Sequence, residues 1–524
     1  MVLAKRFAAL VLVLFAAGAS SAIPARAAGA SAASALAPLG RPLRATAAAT
    51  HGPTVTRVLQ GLLHNGAISE TTYRADQAIY TAAKRSLGRL GGTRRAELGA
   101  VLANVQAIAA AGQLSASRAP SVFLTLERNR FWWTTEPLLS SGERVTFPQS
   151  KLIWEYYAGQ GIEIQWLASF GEGNAYYNSG HENANLRQLV SEMISLASRR
   201  AGGISWDYLF HFDGGVPPWS SGLSQGTALQ VLSRAWSRFK EPADLTAAQQ
   251  ALGIFQQPPP EGVRVPTGAG AIYAEYTYAP GDRILNGFIQ AVVGLYDYTA
   301  ITGDPLGLKL FEAGDAEARI LVPHYDTGYW SLYDQYGESS LNYHELLTEF
   351  LQHLCERTRK GPPATSTAAP APAPTGPATA PTGTGSTDSP TGGTGPGAGA
   401  GAVTAAAHSS QSTQIPGDEI YCTTAKRFSE DLQTPPAVAL ISTRLLRSSR
   451  AGVEISLSKI STVTLTIRRG SKTVWVNRAT VGAGHPKLLW ITPAGGGSYS
   501  VTLTATDLAG NFSTAQGTIQ LSGH

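Results

Sequence analysis

The 524-residue chain lacks three features that would assign it to common protein classes. The apolar run from Phe7 to Ala19 is shorter than the roughly 20 residues of a membrane-spanning helix, and no later run approaches that length. No cysteines and histidines have metal-ligand spacing, and no glycine-rich turn follows a strand pattern to hold a nucleotide phosphate. We therefore expect no membrane span, no metal and no other cofactor.

Cysteine is also scarce. The two cysteines, Cys355 and Cys422, flank a run at 361–417 that consists mostly of Pro, Ala, Thr, Gly and Ser. Such a composition buries too little apolar surface to offset the entropy of ordering the chain. Apolar residues on both sides have helical spacing. The run is therefore predicted to be a disordered insertion in one domain, closed into a loop by a disulfide between Cys355 and Cys422, with two free thiols as the alternative.

The N-terminal segment has the pattern of a secretory signal peptide. Lys5-Arg6 precedes the apolar run, and Ala25-Arg26-Ala27 has the small-residue spacing of a cleavage site. We expect residues 1–27 to be this signal peptide and the mature protein to be secreted or held in the cell envelope. Export would favour oxidation of the cysteine pair.

Charge is distributed unevenly along the chain. The formal net charge is +5, with 13 basic and 3 acidic side chains in residues 1–120 and 11 against 4 in residues 426–524. The intervening stretch 121–358 has 15 basic and 26 acidic side chains. Because the middle of the chain is acidic, the overall positive charge does not predict a groove for a polyanion there.

Periodicity divides the chain into regions of different structure. Residues 28–120 read as a disordered start followed by helices, with breaks at Asn65-Gly66 and Gly91-Gly92. Aromatic and β-branched residues between Arg130 and Trp166 predict short strands or a hairpin. Helical patterns follow at 186–198, 226–239, 285–302 and 306–322. Residues 435–524 alternate apolar and polar side chains and contain several glycine turns, which indicates an all-β module.

Clusters of tyrosine with an acid or histidine recur in the middle of the chain, at spacings that a packed core does not require. They are Glu275-Tyr276 before Leu285-Asn286-Gly287-Phe288, then Tyr333-Asp334, then Tyr343-His344. Upstream lies Trp219-Ser-Ser-Gly-Leu-Ser-Gln225-Gly226. This order resembles the C-terminal domain of D-glucuronyl C5-epimerases, and the resemblance covers about 125–358 and 418–434.

The resemblance implies a multidomain, mainly α protein whose catalytic domain, at 121–434, is an α/α toroid of antiparallel helix pairs with a short β-hairpin region at its start. It implies conversion of D-glucuronate to L-iduronate in a heparosan-like polysaccharide. Proton transfer would be carried out by Glu275, Tyr333 and Tyr343. Substrate would be bound by Tyr276, Asn286, Trp219, Gln225, Asp334 and His344.

The tail at 435–524 resembles immunoglobulin-like or fibronectin-like β-sandwich modules. Such a module would attach the protein to a glycan or to the cell envelope. The expected partner is thus a glucuronate-containing polysaccharide, without nucleic acid, and a homodimer is left open.

Two departures from the family pattern concern the substrate. The animal enzymes carry an arginine just after the Tyr-Asp pair, where this chain has Gln335-Tyr336, and their separate N-terminal β-domain is not evident. With the acidic middle of the chain, these differences favour a polymer less charged than N-sulfated heparosan.

Other readings of the same residues remain open. A uronate lyase would use the same carbanion chemistry, and a cell-surface protein would only bind glycan. A glycosidase would need two carboxylates across the scissile bond, for which Glu275 with Asp334 or Glu345 are the candidates. Structural roles are also open: tyrosines pack in cores, His344 suits a framework position, and Glu275 could favour a helix N-terminus.

Overall fold

The computed structural model of the chain describes residues 52–365 and 418–522. The predicted signal peptide, the start predicted to be disordered and most of the insertion at 361–417 lie outside the described residues. Within these ranges a mainly helical region is followed by a separate β-rich region. None of the described helices is long and apolar enough to cross a lipid bilayer.

The helices of the described ranges are α1 Val55–His64, α2 Glu70–Leu87, α3 Gly92–Ala110, α4 Ala119–Thr135, α5 Trp166–Ser179, α6 Asn183–Leu196, α7 Gly222–Phe239, α8 Pro242–Ala251, α9 Leu285–Thr302, α10 Pro305–His324, α11 Leu341–Thr358 and α12 Asp418–Asp431. The strands are β1 Arg144–Val145, β2 Trp154–Tyr157, β3 Gly161–Ile164, β4 Ser198–Arg200, β5 Gly203–Ser205, β6 Arg264–Pro266, β7 Ala271–Tyr273, β8 Val438–Leu440, β9 Arg444–Leu446, β10 Ala451–Leu457, β11 Ser461–Arg469, β12 Lys472–Val481, β13 Lys487–Trp490, β14 Gly497–Asp507 and β15 Phe512–Ser522.

The N-terminal helices pack into the same apolar core as the middle of the chain, which extends from Val55 to Phe428. Glu97 of α3 also connects the N-terminal helices to the middle of the chain through hydrogen bonds. Its buried carboxylate accepts hydrogen bonds from the Tyr156 hydroxyl at 2.9 Å and from the backbone N–H groups of Gly159 and Gly161. The segment predicted as an N-terminal extension is thus packed against the β2–β3 hairpin.

The prediction of strands from Arg130 onward is wrong for its first residues, because α4 continues to Thr135. Trp132 and Trp133 are buried on this helix, and the Trp133 indole N–H donates to the Asn129 side chain one turn earlier. Aromatic content alone could not distinguish this helix from a strand. The hairpin itself is present as β2 and β3, paired from Trp154↔Ile164 to Tyr157↔Gly161.

The two central helices α7 and α9 are almost wholly buried and approach each other closely. A Cβ added at Gly226 of α7 would lie 2.6 Å from the Ala291 Cα of α9. A Cβ added at Gly294 would lie 2.1 Å from the Gly226 carbonyl oxygen. The pair can therefore pack at this distance only because both contact positions lack a side chain.

The chain returns to the same core after the insertion. Helix α12 packs on α11, and its residues Tyr421 and Phe428 are fully buried. Cys355 of α11 and Cys422 of α12 are joined in a disulfide, the pair that the sequence singles out. The helices on either side of the insertion, α11 and α12, therefore belong to the same packed core.

The β-rich region is built from two sheets that share one apolar core. The smaller has the order β13-β10-β8 and the larger the order β12-β11-β14-β15-β9. Alternate residues of β11 point inward, among them Val463, Leu465 and Ile467, as the period-2 pattern predicts. Trp490 and Tyr499 meet edge to face at 5.2 Å within this core.

The disulfide generates a prediction about stability. It closes a loop with a sequence separation of 67 residues, so its removal should lower the free energy of unfolding by about 4 kcal/mol in the entropic model. We expect the variant Cys355→Ser/Cys422→Ser to unfold at lower urea concentration than the oxidised protein. Reduced wild-type protein is the control and should show a similar loss. An unchanged unfolding midpoint in both samples would contradict this account.

Candidate active site

The tyrosine and acid clusters of the sequence meet where three chain segments converge. Glu275 and Tyr276 follow strand β7, and the carbonyls of Ala274 and Glu275 accept a hydrogen bond from the Gly222 N–H at the start of α7. The first N–H of α9, that of Leu285, donates to the Tyr333 carbonyl at 3.2 Å. The segment after β7, the starts of α7 and α9, and the loop between α10 and α11 thus share one location.

Glu275 is the buried carboxylate of this location, with only 8% of the residue exposed. One carboxylate oxygen, Oε1, accepts a hydrogen bond from the Ser221 hydroxyl at 3.1 Å. The other, Oε2, has no hydrogen-bond partner among the described residues. Burial raises the pKa of Glu275 to about 7, although the Ser221 hydrogen bond opposes this shift. The carboxylate is therefore close to half-protonated at neutral pH.

Gly287 explains how the Glu275 carboxylate reaches the start of α9. A Cβ at this position would lie 1.9 Å from Oε2 of Glu275. No side chain can be accommodated at that distance, so the glycine of the Leu-Asn-Gly-Phe motif is required by the close approach of the carboxylate. The neighbouring Asn286 is also buried, and within the described ranges its Oδ1 atom has no hydrogen-bond partner.

Tyr333 and Tyr343 form a contacting pair. Their ring centroids are 4.6 Å apart, with an angle of 43° between the ring planes. Burial raises the pKa of both phenols, and the negative charge of Glu275 raises both further. Both hydroxyls therefore hold their protons at neutral pH. The sensitivity of their pKa values to Glu275 places the carboxylate and the phenol pair in one electrostatic environment.

Residues 276–278 supply an aromatic wall to the same location. Tyr276 and Tyr278 stack at 5.2 Å with an angle of 15° between their ring planes. The pKa of Tyr276 lies well above its usual value, first through burial and then through the charges of Glu275 and of Tyr333. Trp219 meets Tyr276 and Tyr278 edge to face at 5.7 and 5.4 Å.

Trp219 and Gln225, the two substrate-binding residues predicted from the segment at the start of α7, have different surroundings. Trp219 contacts the aromatic wall, while its indole N–H donates to the Phe210 carbonyl at 2.8 Å. Gln225 is fully buried on α7, and its amide bridges the backbone of Trp206 at 3.4 and 3.2 Å. The amide of Gln225 is thus engaged with the framework, and the structure does not bring it to the tyrosine pair.

Asp334 and His344 are also engaged with the framework. Oδ1 of Asp334 accepts hydrogen bonds from the backbone N–H groups of Tyr336 and Gly337, which closes the turn after Tyr333. Nδ1 of the buried His344 lies 2.8 Å from the Ser331 hydroxyl, and Nε2 lies 2.9 Å from the Phe428 carbonyl. Because both ring nitrogens are occupied, a substrate-binding role for His344 remains a prediction that its contacts do not favour.

Comparison with known proteins bears directly on this arrangement. Residues 201–365 match the family described as D-glucuronyl C5-epimerase C-terminus. A D-glucuronyl C5-epimerase of Caenorhabditis elegans is 33% identical over 131 residues, which make up 22% of this chain and 21% of that protein. This segment belongs to the D-glucuronyl C5-epimerase family. The match contains Trp219, Glu275 and both tyrosines of the contacting pair.

Other similarities also concern only parts of the chain. An uncharacterized protein of Methanocaldococcus jannaschii is 28% identical over 169 residues, or 31% of this chain and 55% of that protein. The chain therefore spans about a fifth of the worm protein and about half of the archaeal one. A crystal structure of an engineered protein matches with a TM-score of 0.14 at 21% identity, over 20% of this chain and 27% of that one, which carries no argument.

The epimerase-family site can exchange protons with a bound molecule. A group whose pKa lies near the working pH is suited to accept a proton in a reaction, and Glu275 meets this condition. Protonated phenols beside it can donate protons or hydrogen bonds. The partnerless oxygens of Glu275 and Asn286 add buried acceptors, which a bound sugar hydroxyl could satisfy.

Sequence reasoning missed two members of this epimerase-family site. Ser221 caps α7 by accepting from the Ser224 N–H, and it also donates to Glu275. Tyr278 stacks on Tyr276, and its buried hydroxyl has no hydrogen-bond partner in the part of the chain that the structure describes. The spacing of Tyr276 and Tyr278 was a usable signal, since residues two apart in an extended segment lie on the same face.

The raised pKa of Glu275 predicts a pH-dependent stability. Between the unfolded pKa near 4.5 and the folded value of about 7, the folded state keeps a proton that the unfolded state has lost. The wild type should therefore lose stability as pH rises through this window. Glu275→Gln removes the titration, so its unfolding free energy relative to wild type should increase across the window by up to about 3 kcal/mol.

Urea unfolding at about pH 5 and about pH 8 measures this difference. Glu430→Gln, at an exposed carboxylate of α12, is the matched control and should shift stability equally at both pH values. A difference between Glu275→Gln and wild type that is independent of pH would show that the Glu275 pKa is not raised.

Proposed function

We propose that this protein is an exported C5-epimerase that converts D-glucuronate to L-iduronate within a heparosan-like polysaccharide. The observation that carries the proposal is the meeting of buried Glu275 with the Tyr333–Tyr343 pair inside the family-matched segment. Two kinds of proton-transfer group, one near neutrality and one protonated, are what an inversion at carbon requires.

The chemistry follows from the substrate. The hydrogen on carbon 5 of a uronate lies beside a carboxylate, so its removal places a second negative charge on that group. Hydrogen bonds from neutral phenols and from the Asn286 amide would stabilise this charge. Glu275 in its deprotonated form would accept the carbon-bound proton, and a phenol of the Tyr333–Tyr343 pair would return one to the opposite face.

The architecture is consistent with this proposal. We interpret the helical region as the α/α toroid of the family and the two-sheet region as an immunoglobulin-like module.

The disulfide between Cys355 and Cys422 suits a protein that matures in an oxidising compartment, in keeping with the predicted signal peptide. The acidic balance of residues 121–358 favours a polymer without dense sulfation, and the β-rich module would attach the protein to glycan or envelope.

The contacts of Asp334 bear on the glycosidase alternative. A glycosidase needs two carboxylates on either side of the scissile bond. Asp334, one candidate for the second carboxylate, closes a backbone turn with its Oδ1 atom. Glu345, the other candidate, is an exposed residue of α11. These positions favour the epimerase over the glycosidase. A lyase would use the same base and phenols, so only its product distinguishes it from an epimerase.

The proposal is tested by incubating the protein with desulfated heparosan in deuterated water. We expect deuterium at carbon 5 and new iduronate signals by NMR, without chain cleavage. Growth of ultraviolet absorbance from a carbon–carbon double bond would identify a lyase. New reducing ends without that absorbance would identify a glycosidase, and binding without any exchange would leave only a glycan-binding protein.

The tyrosine pair gives a second prediction. Tyr333→Phe and Tyr343→Phe each remove one hydroxyl, and the rate of deuterium incorporation should fall by about 10²–10⁴-fold for the tyrosine that transfers a proton. Tyr80→Phe, at a half-buried tyrosine of α2 outside the site, is the control and should keep wild-type exchange. Full exchange activity in both pair variants, with unchanged thermal unfolding, would remove the tyrosines from the mechanism.

A further inference from the structure

We propose that the β-rich region is a working part of the active site, because Glu338 fastens the loop that carries Tyr333 to two of its turns. The sequence suggests only a tether or attachment role for this region. The contacts assign Glu338 as a positioning residue, one that acts on substrate through Tyr333. The inference rests on the proposed function for its catalytic consequence, although the attachment itself is independent of it.

The loop between α10 and α11 is a compact unit. The Tyr333 N–H donates to the Gly337 carbonyl at 2.9 Å, and Leu332 pairs with Glu338 in an antiparallel bridge. At the base, the hydroxyls of Ser331 and Ser339 lie 3.0 Å apart. Because Tyr333 and Glu338 belong to the same closed turn, a displacement of Glu338 would move the Tyr333 backbone with it.

Glu338 attaches this loop to the β-rich region through both carboxylate oxygens. Oε1 accepts from the Ile460 N–H at 3.1 Å, and Oε2 accepts from the Ala483 N–H at 2.9 Å. Ile460 lies between β10 and β11, and Ala483 lies between β12 and β13. A charged acceptor that engages two backbone donors is stronger and better oriented than a single neutral hydrogen bond.

Lys459 forms a second contact between the β-rich region and the helical region, and this contact is connected to Tyr343. Lys459 is fully buried, and its ammonium group pairs with Asp507 at 2.8 Å while donating to the Asp431 carbonyl at 2.7 Å. The same ammonium lies 5.2 Å from the ring centre of Trp330. This cation therefore joins the β-rich region to α12 and to the loop before Tyr333.

Trp330 transmits that contact to the start of α11. Its ring stacks on His344 at 3.7 Å, nearly parallel, and its indole N–H donates to the Ser339 carbonyl at 2.9 Å. His344 directly follows Tyr343. The β-rich region thus supports Tyr333 through Glu338 and Tyr343 through Lys459, Trp330 and His344.

These contacts affect how exactly the phenol of Tyr333 is placed for proton transfer. Proton transfer to or from carbon needs the phenol held within a fraction of an ångström, and misplacement by about 1 Å can reduce the rate about 10²-fold. The turn after Tyr333 has exposed residues, with Tyr336 82% exposed, and on the side of α9 it is held by Gln335, whose amide bonds to the Arg283 N–H and the Gly281 carbonyl. Glu338 adds the restraint on the side of the β-rich region.

The test compares Glu338→Ala and Glu338→Gln with wild type in the full chain. Desulfated heparosan in deuterated water gives kcat and KM for exchange at carbon 5. We expect Glu338→Ala to lose about 10-fold to 10²-fold in kcat with KM changed less than about twofold. Glu338→Gln keeps one acceptor oxygen and should lie between the two. Glu454→Ala, which removes another partly exposed carboxylate paired with Lys487 in the β-rich region, should match wild type.

Hydrogen–deuterium exchange of the backbone amides gives a readout that does not depend on activity. In Glu338→Ala, peptides that contain Ile460, Ala483 or the loop 331–339 should exchange faster, while those of β14 should not change. Wild-type protection of these peptides together with wild-type kcat would overturn the proposal. A wild-type protein without carbon-5 exchange would contradict the proposed function alone, and the amide measurement would still decide whether Glu338 fastens the loop.

Discussion

The burial of the Glu275 carboxylate is the constraint on which the site depends. A carboxylate with one hydrogen bond and one free oxygen is unfavourable inside a protein, and the surrounding chain must be built to tolerate it. Ser221 provides the one donor, and Gly287 provides the space. This burial raises the pKa of Glu275 to about 7. The phenol of Tyr333 has its pKa raised by its own burial and by the neighbouring charges, including that of Glu275. Packing and acid–base character are therefore two results of one arrangement.

The close packing of α7 and α9 makes this arrangement rigid. Gly226 and Gly294 allow the helices to approach until backbone meets backbone, and both helices begin at the site. The N–H of Gly222 bonds to the segment that carries Glu275, and the N–H of Leu285 bonds to the Tyr333 carbonyl. Groups from distant parts of the sequence are thus fixed by helix starts, which move little once the helices are packed.

The C-terminal half of the protein shows how parts that look separate along the chain are integrated in space. Helix α12 follows the low-complexity insertion, yet Phe428 is fully buried in the helical core and accepts a hydrogen bond at its carbonyl from His344. The β-rich region then contacts the loop of Tyr333 through Glu338. A module that looks separate by composition is therefore in contact with the loop that carries Tyr333.

The sequence alone determined the helical and β-rich division, the four helices at 186–322, the hairpin after Leu152 and the candidate tyrosines, because periodicity and motif order are local properties. It missed the helical character of Arg130–Thr135, where aromatic residues satisfy either a strand or a buried helix face. Only the tertiary structure decided which candidates meet. Tyr333 and Tyr343 come together near Glu275. Gln225, Asp334 and His344 instead form hydrogen bonds with the backbone or with a serine hydroxyl. Hydrogen-bond partners depend on proximity in space, which the position of a residue in a motif does not reveal.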